Sequence, residues 1–259
     1  MMTLKTAKTR HADVRYLEGG EGPPLMYLHG AGGMTPEDPL FAELTARHHV
    51  FAPYLPGYGE TEDCGELRDM LDYTLLGWDL VKVFGLGDPI LVGHSMGGMI
   101  AAEMAAIAPN DVSRLALICP AGLWIAEYPI PDMFTLMPYE MPAYLFHDPE
   151  AGSKLMTSGL DMEDPKFLQN YLVRNARQLG MAGKLLFPIP ERGLAQRLYR
   201  ITARTVIVWG QSDRMIPALY GSHFQAGIAG SRLVEVLEAG HMVILEKPFA
   251  VAEAIASLG

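Results

Sequence analysis

A serine inside a glycine-rich turn is the residue of this sequence best suited to chemistry. Gly93-His94-Ser95-Met96-Gly97 has the pattern Gly-x-Ser-x-Gly, follows a short apolar run and opens a helical pattern. The glycines leave room for a tight strand-to-helix corner, where a larger side chain would collide. Such a corner exposes the hydroxyl of Ser95 at the carboxyl edge of a sheet, beside a helix N-terminus that favours a developing negative charge. The pattern predicts that Ser95 is a nucleophile.

A serine hydroxyl is a poor nucleophile unless a neighbouring base takes its proton, so a histidine must reach Ser95. His241 is the best candidate, because it lies between the last predicted strand and the last predicted helix, where a loop reaches the same sheet edge. The other histidines fit less well. His11 lies near the N-terminus, and His48 and His49 precede the strand that begins at Val50, so they lie at the opposite sheet edge. His94 is on the sharp turn but points elsewhere, and His147 and His223 lie in predicted helical regions. We therefore predict that His241 is the general base.

The base needs a carboxylate that holds its tautomer and stabilises the imidazolium. Asp213 follows the apolar run Thr205–Trp209 through a Gly-Gln-Ser turn, so it also lies at the carboxyl end of a predicted strand. The order serine, acid, histidine is the one found in hydrolases built on an open α/β sheet. Asp161 and Asp164 fit less well, because neither follows a predicted strand. A role for Asp213 as the N-cap of the next helix is the alternative.

Acyl transfer also needs hydrogen-bond donors for the oxyanion that forms on the carbonyl. The apolar run ending at Leu28 continues into His29-Gly30-Ala31-Gly32-Gly33, and such a turn can aim backbone N–H groups at a substrate. We assign the oxyanion hole to the backbone N–H groups of Met96 and Ala31, with Gly32 as the alternative to Ala31. A phosphate-binding loop is disfavoured, because neither Gly-Lys-Ser/Thr nor GxGxxG is present.

Short apolar runs rich in Val, Ile and Leu are typical of parallel strands that are covered on both faces. They are Pro24–Leu28, Val50–Tyr54, Ile90–Val92, Leu115–Cys119, Thr205–Trp209 and Leu233–Leu237. Helical patterns lie among them at Tyr73–Phe84, Gly97–Ala108, Pro217–Ala226 and Pro248–Leu258. The alternation predicts an α/β fold with a mostly parallel central sheet flanked by helices. The segment before Gly19 predicts one or two antiparallel edge strands.

Residues 121–201 break this alternation, because they contain no clear strand and are rich in Pro, Met and aromatic residues. The stretch is too long and too apolar to be a plain loop. We therefore predict a helical cap over residues 121–201, inserted into one core formed by residues 1–120 and 202–259. An irregular extension of the core is the alternative.

Composition limits the classes of partner. The chain has 259 residues, a hydrophobic fraction of 49% and a formal net charge of −10. An acidic surface repels phosphate backbones and anionic lipid heads, which excludes nucleic acid and membranes as favoured partners. The two cysteines, Cys64 and Cys119, cannot build a disulfide framework and lie in no metal-binding motif. The N-terminus lacks a signal-peptide pattern, so we expect a cytoplasmic protein. We also expect that its reaction needs no metal or cofactor. Assembly into a homo-oligomer is left open.

The motifs resemble those of the α/β-hydrolase superfamily, in the same order along the chain. They are His29-Gly30, Leu55-Pro56-Gly57-Tyr58-Gly59, Gly93-His94-Ser95-Met96-Gly97-Gly98, Trp209-Gly210-x-x-Asp213-x-x-Ile216-Pro217 and Gly240-His241-x-x-x-x-Glu246-Lys247-Pro248. In the second motif, Tyr54 stands where the family usually has an acid. The resemblance implies the α/β-hydrolase fold with a helical cap and Ser-His-Asp catalysis.

A serine nucleophile argues against the haloalkane dehalogenases and epoxide hydrolases of this family, which use Asp. The remaining classes are chiefly esterases, lactonases, haloperoxidase-like enzymes and C–C hydrolases of ring-cleavage products. We predict hydrolysis of a small to medium hydrophobic ester through an acyl-enzyme. The C–C hydrolase alternative needs a cation for its substrate's carboxylate, for which Arg174, Arg177 and Arg192 are candidates. However, Met242 stands where those enzymes often carry Trp. A ligand-binding receptor is the third alternative, and the complete triad disfavours it.

Overall fold

A computed structural model describes residues 1–157, 163–188 and 191–259. It contains a single eight-stranded sheet in the order β1-β2-β4-β3-β5-β6-β7-β8. The strands are β1 (Thr3–Lys8), β2 (Asp13–Gly19), β3 (Pro24–Leu28), β4 (His49–Pro53), β5 (Ile90–His94), β6 (Arg114–Ile118), β7 (Arg204–Gly210) and β8 (Arg232–Val236). Strands β3 to β8 run parallel, whereas β2 pairs antiparallel with both of its neighbours, β1 and β4. The mostly parallel sheet is therefore confirmed, and so is the antiparallel N-terminal edge.

The central strands are those whose apolar sequence runs are buried on both faces of the sheet. Every residue of β5 is buried, and β3, β4 and β6 are buried except for their first residue. Strands that are covered on both faces lose water from both sets of alternating side chains, which favours continuous apolar runs. β1 is exposed at every residue but Ala7, as is typical of a strand at the sheet edge.

Helices cover both faces of the sheet. They are α1 (Pro39–Thr45), α2 (Met70–Val83), α3 (Met96–Ile107), α4 (Met141–Leu145), α5 (Pro149–Thr157), α6 (Pro165–Leu186), α7 (Leu219–Gly227), α8 (Val243–Glu246) and α9 (Pro248–Ala256), with a 3₁₀ turn at Leu198–Arg200. α2 begins three residues before the predicted Tyr73, because the Asp69 side chain accepts hydrogen bonds from the N–H groups of Leu71 and Asp72.

The segment between β6 and β7 is helical in the parts that the structure describes. It carries α4, α5, α6 and the 3₁₀ turn, and no strand lies in its described ranges. The last turns of α6 pack inward through Met181, Ala182 and Leu185, which are buried. None of the helices in the described parts of the chain has both the length and the apolar character needed to cross a bilayer.

The topology brings the chemistry-bearing loops to one edge of the sheet. Neighbouring parallel strands end together, since Leu28 pairs with Gly93 and His94 pairs with Ile118. On the other side of β6, Ile118 pairs with Val208. The chain segments after β3, β5, β7 and β8 contain Ala31, Ser95, Asp213 and His241, respectively, so all of them leave the sheet at its carboxyl edge.

Candidate active site

Ser95 lies on a strained turn between β5 and α3. Its φ is +53° and its ψ is −115°, a conformation that few residues other than glycine adopt. Its backbone N–H donates to Ile118 O at 2.9 Å, which fixes the turn to the neighbouring strand. The side chain does not cap the helix it precedes, so its hydroxyl remains available for another partner.

Three glycines make this turn sterically feasible. A Cβ at Gly97 would lie 2.1 Å from Leu28 O, and a Cβ at Gly93 would lie 2.3 Å from Gly97 O. A Cβ at Gly98 would lie 2.9 Å from Pro120 Cβ. Because the first two obstacles are backbone atoms that cannot rotate away, the glycines of the motif allow α3 to pack directly on the ends of the strands.

We expect Gly97→Ala to lower the free energy of unfolding by about 3 kcal/mol, because the added methyl group overlaps the backbone of β3. Urea unfolding monitored by circular dichroism measures the change. Gly87→Ala is the matched control, since nothing lies within 4 Å of a Cβ there. Equal stability of the two variants would contradict the close packing of the turn.

His241 connects Ser95 to Asp213. Its Nε2 lies 2.9 Å from Ser95 Oγ, and its Nδ1 lies 2.8 Å from Asp213 Oδ2. An ionised carboxylate only accepts hydrogen bonds, so Nδ1 carries the proton and Nε2 is left to accept the serine proton. This is the tautomer that a general base requires. The structure thus brings together the three residues whose side chains the sequence predicts to act together.

Asp213 is held by the turn that follows it. Its Oδ1 accepts hydrogen bonds from the backbone N–H groups of Met215 at 2.9 Å and Ile216 at 2.8 Å, while Oδ2 faces His241. The carboxylate therefore closes the local turn and orients the histidine, but it is not the N-cap of the next helix, because Ala218 holds that position in α7. Of the two other acids considered, Asp164 caps α6 through Lys166 N, and Asp161 lies outside the described residues.

The sequence disfavours His94 as the general base, and the structure gives its side chain a different contact. Its Nε2 donates to the backbone O of His241 at 2.9 Å, so it holds the loop of the base from the position before the nucleophile. Burial lowers the pKa of His94 to about 3. The contact spans 147 positions of the chain, which is why local spacing gave no signal for it.

His29 makes a similar contact in the glycine-rich turn after β3. Its Nε2 accepts from the N–H of Leu55 at 3.1 Å, so Nδ1 carries the proton and donates to Gly30 O at 2.8 Å. Burial lowers the pKa of His29 to about 4. Both buried histidines are therefore neutral at pH 7, and each ties one loop of the site to another element.

The depressed pKa of His94 implies that acid destabilises the fold. Between about pH 6.5 and its folded pKa, the unfolded chain binds a proton that the folded chain does not, so the free energy of unfolding falls as pH falls. The stability that the neutral His94 contributes is fully present above pH 6.5. It is lost at about 1.4 kcal/mol per pH unit as the pH falls from 6.5 toward the folded pKa.

We expect His94→Asn to lose less stability than the parent between pH 7 and pH 5, because this proton uptake is gone. Urea unfolding at the two pH values measures the difference. His223→Asn, on the exposed face of α7, should keep the parental slope. The same loss in His94→Asn as in the parent would contradict a buried neutral His94.

The two backbone N–H groups predicted to form the oxyanion hole belong to segments next to the nucleophile. Met96 is the first residue of α3, and the first four N–H groups of a helix have no acceptor within it. Ala31 lies in a turn closed by the hydrogen bond from Gly33 N to Gly30 O at 3.0 Å. A Cβ at Gly30 would lie 3.3 Å from Ser95 Cβ, so this turn lies directly against the nucleophile. Their role in binding an oxyanion stays a prediction.

An apolar cleft opens over Ser95. It encloses about 590 Å³ including its open mouth, and α3, the segment after β6, the end of α6 and the acid loop supply its walls. The apolar residues that line it include Met99, Leu123, Ile130, Met133, Phe134, Leu185, Met215 and Ile216. Glu191 and Arg192 are the charged residues of the wall. Apolar clefts with few polar groups are typical of sites for small organic molecules.

Two groups of three side chains, within the described ranges, place metal-ligating atoms within 4.8 Å of one another. One is Cys119 with Asp213 and His241, but burial raises the pKa of the Cys119 thiol well above its usual value, which disfavours the thiolate a metal needs. The other group contains Cys64 with His11 and Glu66, whose side chains already share a hydrogen bond at 3.0 Å. Neither group follows a metal-binding motif of the sequence, because each contains at least one member that lies more than 50 residues from the others.

Comparison with known proteins identifies the family. A model of the alpha/beta hydrolase family matches residues 25–254. The match spans most of the chain, so this protein belongs to the alpha/beta hydrolase family.

Individual relatives have several activities. The chain is 26% identical to a 2-hydroxy-6-oxo-6-phenylhexa-2,4-dienoate hydrolase of Comamonas testosteroni, with 95% of this chain and 92% of that protein covered. The structure of a hydrolase of the same name from Rhodococcus sp. strain RHA1 matches with a TM-score of 0.80, 19% identity and coverage of 100% and 98%. Naproxen esterase from Bacillus subtilis matches with a TM-score of 0.75, 17% identity and coverage of 99% and 91%. The two structures share the fold at identities too low to transfer a substrate.

Proposed function

We propose that this protein is a serine hydrolase that cleaves small to medium hydrophobic carboxylic esters. The observation that carries the proposal is the chain of two hydrogen bonds from Asp213 through His241 to Ser95, at the floor of an apolar cleft. An activated serine beside an apolar cleft suits an acyl group with a hydrocarbon chain. A lactone is an internal ester and would react by the same steps.

The proposed reaction has two acyl-transfer steps. Ser95 Oγ attacks the ester carbonyl while His241 Nε2 takes its proton, and the N–H groups of Met96 and Ala31 stabilise the oxyanion. The C–O bond of the ester then breaks, and His241 gives its proton to the leaving alcohol. Water attacks the acyl-enzyme with His241 again acting as base, which releases the carboxylic acid and restores Ser95. Asp213 stays ionised throughout and stabilises the imidazolium.

Residues 121–201 serve in this proposal as a cap that supplies the acyl site. Leu123, Phe134 and Leu185 belong to the predicted cap and line the same cleft as Ser95. Burying a methylene group of the acyl chain contributes about 0.8 kcal/mol, so affinity rises with chain length until the cleft is filled.

A series of p-nitrophenyl esters from acetate to decanoate tests this proposal. We expect kcat/KM to rise with chain length and then to fall, and Ile130→Trp to move the optimum to shorter chains because it fills part of the cleft. Ile107→Trp is the matched control, since Ile107 is exposed at the end of α3. Absence of turnover with every ester, by a protein whose Ser95 reacts with a phosphonate, would refute the ester as substrate.

A second candidate is hydrolysis of a C–C bond in a ring-cleavage product that carries a carboxylate. It is favoured by the position of Arg192 in the wall of the cleft, which neither Arg174 nor Arg177 lines, although the Arg192 guanidinium also donates to Phe187 O. If this candidate is correct, Arg192→Met should raise KM for such a product about 10-fold through loss of a charge-assisted hydrogen bond. An unchanged KM, with the ester series unaffected, would leave the ester as the better substrate.

A further inference from the structure

Residues 143–147, here called the brace segment, lie across the two loops that carry Asp213 and His241. The brace segment comprises the end of α4 and the two residues that follow it. Phe146, at its centre, is 1% exposed and packs against α5, where a Cβ at Gly152 would lie 2.2 Å from the Phe146 ring. The brace segment is thus anchored in the helices between β6 and β7.

On one side the brace segment contacts the loop of the base. Leu145 O accepts the backbone N–H of Met242 at 2.9 Å, one residue after His241. The carboxylate of Glu246 joins the two segments, because Oε1 accepts the N–H of His147 at 2.9 Å and Oε2 accepts the N–H of Gly240 at 2.7 Å. After His241, the backbone is therefore bonded directly to the brace segment. Before His241, it is bonded to Glu246, which in turn is bonded to the brace segment.

On the other side the brace segment contacts the loop of the acid. The Arg214 guanidinium donates to Ala143 O at 2.9 Å and to Phe146 O at 3.2 Å. The His147 Nδ1 lies 2.7 Å from Ser212 Oγ. Ser212 and Arg214 are the neighbours of Asp213 in the chain, so the backbone on both sides of the acid is held as well.

We propose that Arg214 and Glu246 are positioning residues, which set the geometry of Asp213 and His241 by fixing both loops to the brace segment. This inference rests on the proposed serine-hydrolase function. Neither side chain hydrogen-bonds to the side chains of Ser95, His241 or Asp213 in the described structure, and each acts through backbone groups next to them. The site needs such support because an error of about 1 Å in the placement of a catalytic group costs about 100-fold in rate.

The inference makes the helical insertion part of the catalytic geometry as well as the wall of the cleft. A cap that only covers the substrate would affect KM and leave the base and acid unchanged. A cap that fixes the acid and base loops would affect kcat, and would do so for substrates of every chain length. The two roles are therefore separable by kinetics.

The test compares Glu246→Ala and Arg214→Ala with the parent. We expect each to lower kcat per phosphonate-reactive site about 10-fold to 100-fold, to slow phosphonate labelling of Ser95 by a similar factor, and to change KM less than about 3-fold. Glu253→Ala is the matched control, because Glu253 pairs with Arg47 on the surface of α9. It should keep the parental kcat.

Two further measurements separate positioning from a purely structural role. Glu246→Gln should keep part of the activity, because its amide oxygen accepts one of the two N–H groups. Proton NMR should show a low-field signal from His241 Nδ1–H in the parent that shifts or broadens in the alanine variants, with no substrate present.

The outcomes distinguish this inference from the proposed function. Variants that melt at lower temperature but keep the parental kcat per labelled site and the parental low-field signal would overturn the positioning role. If the parent neither labels nor hydrolyses any ester, the proposed function fails. The NMR comparison then still decides whether the brace segment orders the His241–Asp213 pair.

Discussion

Ser95→Ala should lower kcat about 100,000-fold while KM for the best ester changes little. The side chain that attacks the carbonyl is removed, whereas the cleft that binds the acyl group is left intact. Loss of the nucleophile in a serine triad costs nearly as much as loss of the whole triad, since its members act as a unit. Residual turnover reflects what binding and the oxyanion donors contribute without a nucleophile. Initial rates with the best p-nitrophenyl ester measure the effect.

The control for this variant is Ser113→Ala, which removes an exposed hydroxyl that pairs with Asp88 far from the sheet edge of the site. It should keep the parental kcat and KM. Circular dichroism and thermal melting should show that Ser95→Ala is folded. Full activity of folded Ser95→Ala would contradict the covalent mechanism through Ser95.

Asp213→Asn should lower kcat about 10,000-fold through the tautomer of His241. In the parent, Oδ1 accepts two backbone N–H groups and Oδ2 accepts His241 Nδ1–H. An asparagine best satisfies the two N–H groups with its amide oxygen, which turns its NH₂ toward Nδ1. The histidine then carries its proton on Nε2, where it cannot accept the proton of Ser95. Stopped assays with high enzyme concentration measure the residual rate.

Asp164→Asn provides the contrast for this prediction. Asp164 caps the N-terminus of α6 and was the other described acid that the sequence offered. Its substitution should leave kcat within about 2-fold and affect only the stability of α6. If Asp164→Asn lost activity and Asp213→Asn kept it, the wrong carboxylate would have been assigned.

The parts of the fold that local sequence encodes were predictable. Continuous apolar runs identified the central strands to within a residue or two, because strands covered on both faces exclude polar side chains. α1 was missed although Pro39 follows Asp38 and Leu40, Phe41 and Leu44 have helical spacing. A helix of 7 residues is too short for its periodicity to stand out from chance.

The positions of the three triad residues were predictable because each follows a parallel strand, and parallel strands end at one edge. The supporting contacts were not. His94, Arg214 and Glu246 hydrogen-bond to backbone groups that lie far away in sequence or in another element, and hydrogen bonds of that kind leave no periodic pattern. The acyl cleft likewise depends on how the inserted helices pack, which composition alone does not determine.

The most direct test of the central claim is the mass of the protein after reaction with a fluorophosphonate at pH 7. Only a serine whose proton is taken by a neighbouring base reacts rapidly with such a reagent. The structure leads us to expect one phosphonyl group per chain, located on Ser95 by peptide mapping and absent from Ser95→Ala. No adduct, or an adduct on another residue that persists in Ser95→Ala, would contradict an activated Ser95.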